Sequence, residues 1–143
     1  MMWRRHFLSL LGGAAVGACA GCSKTNEPAD PIWGKEPCAY CAMIVSDKRF
    51  AGQVLAGGDR KFFDDIGCMV LWLEEHGGRP VDRIWARDAT MTSRWLDAKS
   101  ARYADGAKTP MDFGFEARPN DAVVGWNEMR DRVIAKKRGR DSP

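Results

Sequence analysis

The run at residues 50–66 decides the fold, and it reads Phe-Ala-Gly-Gln-Val-Leu-Ala-Gly-Gly-Asp-Arg-Lys-Phe-Phe-Asp-Asp-Ile. Two short apolar stretches, 50–56 and 61–63, flank Gly57-Gly58-Asp59, which is the composition of a tight turn. Asp64-Asp65 can then supply the N-cap of a helix. The run therefore predicts a β-hairpin that leads directly into a helix.

Outward from this run, the helix is predicted from about Ile66 to His76, because apolar residues recur at helical spacing and Gly77-Gly78 ends the pattern. A second, strand-rich unit is predicted to follow, with strands at 82–87 and 90–96. Asn120-Asp121 is predicted to cap a closing helix that ends at about Lys136. Strands and helices segregated in this way predict an α+β fold.

Residues 1–18 are predicted to be an export signal. Arg4-Arg5 precedes an apolar stretch of about a dozen residues, which is too short to span a bilayer, and the pair is similar to a twin-arginine signal. Val16-Gly17-Ala18 before Cys19 fits a lipoprotein cleavage box, with Cys22 as the alternative acylation site. We therefore expect a lipid-anchored protein on the periplasmic face. Ala20 rather than Asp follows Cys19, which favours the outer membrane.

The rest of the chain has the length of one small domain. Residues 19–37 are polar and contain three prolines, which predicts a flexible tether. Residues 38–136 are predicted to form the domain, and the basic residues 137–143 a frayed tail. The net charge of +3 falls to about +1 without Arg4 and Arg5, and no basic stripe indicates nucleic-acid binding.

Two thiols and a thioether lie within the six residues Cys38-Ala39-Tyr40-Cys41-Ala42-Met43. A Cys-x-x-Cys pair alone fits redox chemistry, half of a zinc site or a soft-metal site. Met43 favours the last, because soft sulfur donors at this density select Cu(I) over harder ions. Cys41 and Met43 would project to the same side of an extended chain, where both could touch one ion.

Three residues elsewhere are further ligand candidates. Cys68 lies on the predicted helix off its apolar stripe, where a small buried side chain is the ordinary role of a free cysteine and metal binding the alternative. Met111 lies in a loop bounded by proline and glycine, and loops carry function more often than packing. His76, the sole histidine after the leader, is expected at the end of the helix. No set of residues predicts a catalytic centre.

Four motifs along the chain resemble, in order, the NosL family of lipoprotein accessory factors of nitrous oxide reductase. They are Cys38-Ala39-Tyr40-Cys41-Ala42-Met43, Phe63-Asp64-Asp65-Ile66-Gly67-Cys68-Met69, Trp95-Leu96-Asp97-Ala98 with Tyr103, and Thr109-Pro110-Met111. Ala42 and Asp112 stand where the family usually has glycine. The resemblance implies a fold of two related β-β-α halves, similar to the core of organomercurial lyase (MerB-like).

The resemblance also implies a Cu(I) metallochaperone rather than an enzyme, with Cys41, Met43 and Met111 as ligands and Cys38 as a ligand in members with the longer Cys-x-x-Cys form. Its implied partners are nitrous oxide reductase and an ABC-type membrane transporter, in denitrification. Two other functions stay open. One is an exported thiol-disulfide or organomercurial-type enzyme that uses Cys38 and Cys41. The other is a structural zinc module, which needs a fourth ligand such as Cys68 or His76.

Overall fold

The computed structural model describes residues 26–143, so the predicted export signal, Cys19 and Cys22 lie outside the described residues. Residues 26–143 have the predicted α+β fold, with two antiparallel sheets and two helices. The elements are β1 (Gly52–Ala56), β2 (Asp59–Phe63), α1 (Ile66–Glu75), β3 (Arg83–Arg87), β4 (Trp95–Asp97), β5 (Arg102–Asp105), β6 (Phe115–Arg118) and α2 (Trp126–Asp141), with a 3-10 turn at Lys48–Phe50 before β1. Within the described part of the chain, neither helix is long and apolar enough to cross a membrane.

The two sheets differ in size. The larger has the strand order β2-β1-β3-β4, and the smaller consists of β5 and β6. The prediction of a separate second unit at 82–96 was therefore wrong, because β3 pairs with β1 from Gly52↔Ala86 to Leu55↔Arg83. This pairing satisfies the backbone groups along the second edge of β1, which would otherwise be exposed. The first half is thus a four-stranded sheet with α1, and the second half a two-stranded sheet with α2.

The core lies between α1, the sheets and α2. Every residue of α1 from Ile66 to Trp72 is buried, so the helix has no solvated side over its first two turns. Met129 and Val133 of α2 are fully buried in the same apolar cluster. Because this part of α1 is buried on all sides, Cys68 lies in the interior, although it was predicted to lie off the apolar stripe.

The start of α2 differs from its prediction. The helix begins at Trp126 with Gly125 as its N-cap, whereas the predicted cap was Asn120-Asp121. Val124 and Tyr103 exchange two backbone hydrogen bonds, of 2.8 and 3.2 Å, which hold the chain extended there. Val123, which the predicted cap would place in the first turn of the helix, instead precedes the helix and is 85% exposed.

Residues 27–37, predicted to be part of a flexible tether, are instead fixed on the domain. Asp30 accepts hydrogen bonds from Arg87 at 2.6 Å and from the indole of Trp95 at 2.9 Å. The buried Arg87 guanidinium also lies over the rings of Trp33 and Trp95, at 5.3 and 4.6 Å from their centroids. Ala29 bonds through its backbone N–H and C=O to the amide of Gln53. These charge-pairing and cation–π contacts therefore outweigh the conformational entropy that this segment would have as a flexible tether.

The C-terminal residues are also ordered further than predicted. Helix α2 continues to Asp141, past the expected end at about Lys136, and Lys137 pairs with Asp141 one turn later. Arg140 donates to the carbonyl oxygens of Met111 and Asp112, both at 3.0 Å. The segment predicted as a frayed tail is therefore, up to Asp141, a helical turn that holds a loop.

Candidate metal centre

Cys38 and Cys41 lie on a turn that is closed by backbone hydrogen bonds. Cys38 N–H donates to the Met43 carbonyl at 2.7 Å, and Ala42 N–H donates to the Cys38 carbonyl at 3.0 Å. Ala39 N–H donates to the Phe62 carbonyl at 2.9 Å, which attaches the turn to β2. The strand expected from Met43 is only an isolated bridge between Pro37 and Ile44.

The direction of Met43 differs from the sequence expectation. Ala42 has φ +65°, a left-handed conformation that breaks the extended chain between Cys41 and Met43. Cys41 is half-buried, whereas Met43 is 48% exposed. The argument from even spacing on a strand therefore fails. Met43 lies at the outer rim beside Cys41, and its backbone N–H faces the Cys41 sulfur.

The structure brings four side chains to one place. The Sγ atoms of Cys38, Cys41 and Cys68 and one carboxylate oxygen of Asp64 all lie within 4.8 Å of one another. Cys68 lies in the first turn of α1, and Asp64 directly precedes the N-cap Asp65, so both lie at the start of the helix. Cys38 and Cys68 are buried, at 3% and 0% exposure, and Cys41 borders the surface.

Asp64 is the ligand candidate that the sequence did not indicate. Asp65 is the N-cap of α1 and accepts from Gly67 N–H at 2.7 Å, so Asp64 has no capping role. Asp64 Oδ1 accepts from Cys41 Sγ at 3.3 Å, and its buried Oδ2 has no hydrogen-bond partner among residues 26–143. Burial raises the pKa of Asp64 to about 6. The sequence signal that could have indicated Asp64 is the pair Asp64-Asp65, because only one of two adjacent aspartates can be the N-cap and the other needs a different role.

The thiols of the centre are unlike one another. Cys68 donates a hydrogen bond to Cys38, which lowers the pKa of Cys38 and raises that of Cys68. Burial raises the pKa of Cys41. All three cysteines are free. A lowered pKa favours the thiolate, which is the form in which sulfur binds metals, so Cys38 is the thiol of this centre most suited to binding an ion.

The Met111 loop lies on the first turn of α1. Met111 N–H donates to Asp65 Oδ2 at 2.9 Å, and the Met111 side chain is half-buried against the core. Phe113 covers Gly67 so closely that a Cβ there would be 2.1 Å from the ring. The loop therefore contacts Asp65 and Gly67, which lie in sequence between Asp64 and Cys68.

His76 is separated from the centre. It is the C-cap of α1, where its Nδ1 lies 2.8 Å from the Trp72 carbonyl and its ring stacks on Trp72 at 4.3 Å. It follows Cys68 by eight residues, or about 12 Å of helix. The structure gathers Cys38, Cys41 and Cys68, therefore, and does not add His76 to them.

Fold and site together define a small α+β domain with a buried centre of three thiols and one carboxylate. No family model matches the chain, and no curated protein does. Among solved structures, the fold is similar to the crystal structure of the copper chaperone NosL from Shewanella denitrificans, with a TM-score of 0.56 over 76% of this chain and 87% of that one. The sequences are 14% identical, so the likeness is one of fold. It confirms the predicted NosL-like fold.

Proposed function

We propose that this chain is a Cu(I) metallochaperone. The observation that carries the proposal is the buried centre formed by Cys38, Cys41 and Cys68 on the fold of a copper chaperone. Cu(I) is a soft ion that prefers thiolate and thioether sulfur. Three convergent sulfurs would hold it away from water, with Met43 and Met111 as the candidate thioether ligands at the rim and in the loop over α1.

The burial of the thiols favours carriage over thiol catalysis. Cys38 has the lowered pKa expected of a nucleophile, but it is only 3% exposed, and its partner Cys68 is completely buried. A protein disulfide or a bulky substrate cannot reach either sulfur without opening the core. A single metal ion can reach these sulfurs, because it needs only a narrow path past Cys41. The proposed role is therefore carriage of an ion rather than thiol catalysis.

The graded exposure of the donors suggests how copper leaves. Cys38 and Cys68 are interior, Cys41 is half-buried, and Met43 is at the surface. An acceptor sulfur would approach from the side of Met43 and Cys41. Transfer then proceeds by ligand exchange, in which Cys41 gives way to the acceptor before the interior thiols do.

The biological setting follows from the sequence resemblance. The chaperone would be anchored at the periplasmic face by a lipid on Cys19, or on Cys22, with the outer membrane favoured. It would deliver copper for the clusters of nitrous oxide reductase, together with an ABC-type membrane transporter. The relation of its halves to the organomercurial lyase core stays a prediction. The fold shared with a protein that is itself named a copper chaperone supports only the copper-handling part of this setting.

The test is an anaerobic Cu(I) titration against a chromophoric Cu(I) chelator. The chain should carry Cys19→Ser and Cys22→Ser, so that the binding measured belongs to the described cysteines. We expect one Cu(I) per chain and a copper-edge X-ray absorption spectrum with sulfur neighbours only. A chain that fails to compete with even a weak chelator would exclude the proposed function.

A further inference from the structure

We infer that Ile32, Pro37 and Ile44 form a surface that lies against a lipid bilayer and orients the domain on it. These three residues are called the outer apolar surface below. The inference rests on the lipid anchorage in the proposed function and not on copper binding. It adds a defined contact with the bilayer, whereas an anchor alone leaves the domain free to turn.

Two neighbouring segments of the chain carry the apolar side chains of this surface. Pro37 and Ile44 face each other in an isolated antiparallel bridge without hydrogen bonds between the two residues, the kind of pair in which side chains lie closest. The turn that begins at Ile32 is joined to this bridge by a hydrogen bond from Gly34 N–H to the Val45 carbonyl at 3.0 Å. Ile32 is 65% exposed, Ile44 is 47% exposed, and Pro37 is exposed as well. Grouped apolar exposure indicates a surface that meets a partner.

The outer apolar surface faces away from the thiol centre. Side chains alternate in direction along an extended segment. At the bridge, Cys38 and Val45 are buried in the core, whereas their neighbours Pro37 and Ile44 are exposed. A bilayer against Pro37 and Ile44 would therefore lie on the side of the bridge opposite Cys38. It would not cover the thiols, and the proposed acceptor could still approach them.

The groups around the surface suit the headgroup layer of a bilayer. The ammonium group of Lys48 lies 5.2 Å from the ring centroid of the half-buried Trp33, and Lys35 is exposed in the turn after Ile32. Tryptophan and lysine are favoured at membrane interfaces, because each has an apolar body and a polar tip. Residues 32–49 contain three bases, Lys35, Lys48 and Arg49, and two acids, Glu36 and Asp47. The excess of positive charge is complementary to anionic lipids.

The place of the surface in the chain favours a bilayer over another occupant. The predicted acylation sites, Cys19 and Cys22, are only thirteen and ten residues before Ile32. The chain is already held on the domain at Glu27, whose carbonyl accepts a hydrogen bond from Arg60. Among the exposed large apolar side chains of residues 26–143, Ile32 is the nearest in sequence to these sites. An anchored chain therefore brings this surface to the lipid.

The experiment uses the chain from residue 19 onward, which is the form left by the predicted cleavage and retains every described residue. It carries Cys19→Ser and Cys22→Ser, and a synthetic lipid is joined to its N-terminus by enzymatic ligation. The anchored chain is placed in bicelles of phosphatidylcholine and phosphatidylglycerol that contain a nitroxide-labelled lipid. NMR then measures the broadening that the nitroxide causes at isoleucine and valine methyl groups and at tryptophan indole N–H groups. Because the anchor holds every variant on the bilayer, the broadening reports orientation rather than affinity.

Two double variants are compared with this chain. Ile32→Ser with Ile44→Ser removes the outer apolar surface and keeps the tether. Val81→Ser with Val123→Ser is the matched control, since both valines are exposed and lie elsewhere in the chain.

In the unchanged chain we expect strong broadening at Ile44 and Trp33 and weak broadening at Val123 and at Trp126, which is half-buried like Trp33. Ile32→Ser with Ile44→Ser should reduce the broadening at Trp33 severalfold, to the level of Trp126, because the apolar area that holds the surface on the bilayer is lost. The control variant should leave the broadening at Trp33 unchanged.

Equal broadening at Trp33 in the unchanged chain and in both variants would mean that the short tether alone brings this residue near the lipid, and would overturn the inference. A dimer in lipid-free solution that Ile32→Ser with Ile44→Ser dissociates, seen by analytical ultracentrifugation, would also overturn it, since the surface would then belong to a second copy of the chain. Cu(I) affinity should be the same in this variant as in the unchanged chain. A chain that shows the expected lipid contact but binds no Cu(I) would sink the copper proposal and leave this one standing, and the reverse result would sink this one alone.

Discussion

The Cys38–Met43 turn and the loop at 109–114 both approach the first turn of α1, and each has a left-handed residue other than glycine beside its methionine. Ala42, with φ +65°, precedes Met43, and Asp112, with φ +58°, follows Met111. The turn is held by backbone hydrogen bonds of its own and one to β2, whereas α2 clamps the loop from outside. The loop also has a local hydrogen bond, from Asp112 N–H to the Thr109 carbonyl at 3.0 Å. The difference teaches that local backbone geometry and one bond to β2 suffice to place Cys38 and Cys41, whereas Met111 depends in addition on contacts with both helices.

The largest effect should come from removal of an interior sulfur. Cys68→Ser should lower Cu(I) affinity by more than the roughly 10–100-fold that loss of a ligand's hydrogen-bonding partner costs. Chelator competition measures the change, and circular dichroism checks that the core still forms. Affinity within threefold of the unchanged chain would show that the cluster is packing alone.

Met111→Leu should have a smaller effect, and it should separate metal binding from stability. Leu has a similar volume, so the free energy of unfolding without metal should change by less than about 1.5 kcal/mol. Cu(I) affinity should fall measurably, though less than in Cys68→Ser, because a thioether at the periphery is lost. Thermal melting and Cu(I) competition on the same protein decide the matter. An unchanged Cu(I) affinity would mean that Met111 is a packing residue and not a ligand.

Arg140→Ala should loosen the Met111 loop and leave the thiol turn alone. Two hydrogen bonds to loop carbonyls and a cation–π contact with Phe113 at 4.7 Å would be lost. Because the guanidinium is partly exposed, we expect a loss of about 1 kcal/mol in the free energy of unfolding. Arg138→Ala, at an exposed position on the same helix, is the control and should be nearly neutral. Equal losses in the two variants would mean that Arg140 does not clamp the loop.

The smallest effect should come from the left-handed residues. Ala42→Gly relieves a backbone conformation that costs an alanine about 1–2 kcal/mol, against an entropy cost of roughly 0.5–1 kcal/mol for glycine. We expect a net stabilisation of about 0.5 kcal/mol in urea unfolding. Asp112→Gly should gain less stability, because Asp tolerates the left-handed conformation better than Ala does. The substitution would also remove the ion pairs of Asp112 with Lys136 and Arg140. A larger gain at Asp112 than at Ala42 would contradict this account.

Local patterns predicted the hairpin, its turn and the start of α1 at Ile66. These features depend on glycines, alternation and a cap within a few residues of one another. The pairing of β3 with β1 was missed because the partners are about 30 residues apart and nothing in either strand specifies the other. The fixed position of residues 27–37 was missed for a similar reason, since Arg87 lies far along the chain from Asp30.

Part of the candidate metal centre could also be predicted from the sequence. The Cys38–Met43 motif indicated a soft-metal site, and the structure brings its two cysteines together. Cys68 could not be assigned, because a helical cysteine looks the same whether it packs or binds. Asp64 was missed because an aspartate just before a helix is ordinarily explained by capping. In both cases the decisive fact is which neighbours fold over the residue.

The contacts of residues 27–37 bear on how far the domain could travel. If the lipid is on Cys19, eight residue steps separate it from Glu27, whose carbonyl accepts a hydrogen bond from Arg60 at 2.7 Å, and eight residues span at most about 29 Å. A tether that ran freely to Pro37 would reach about 65 Å by the same measure. If the chain is the lipid-anchored carrier proposed above, its thiol centre would work within a shallow layer above the bilayer, and an acceptor would have to enter that layer to collect the ion.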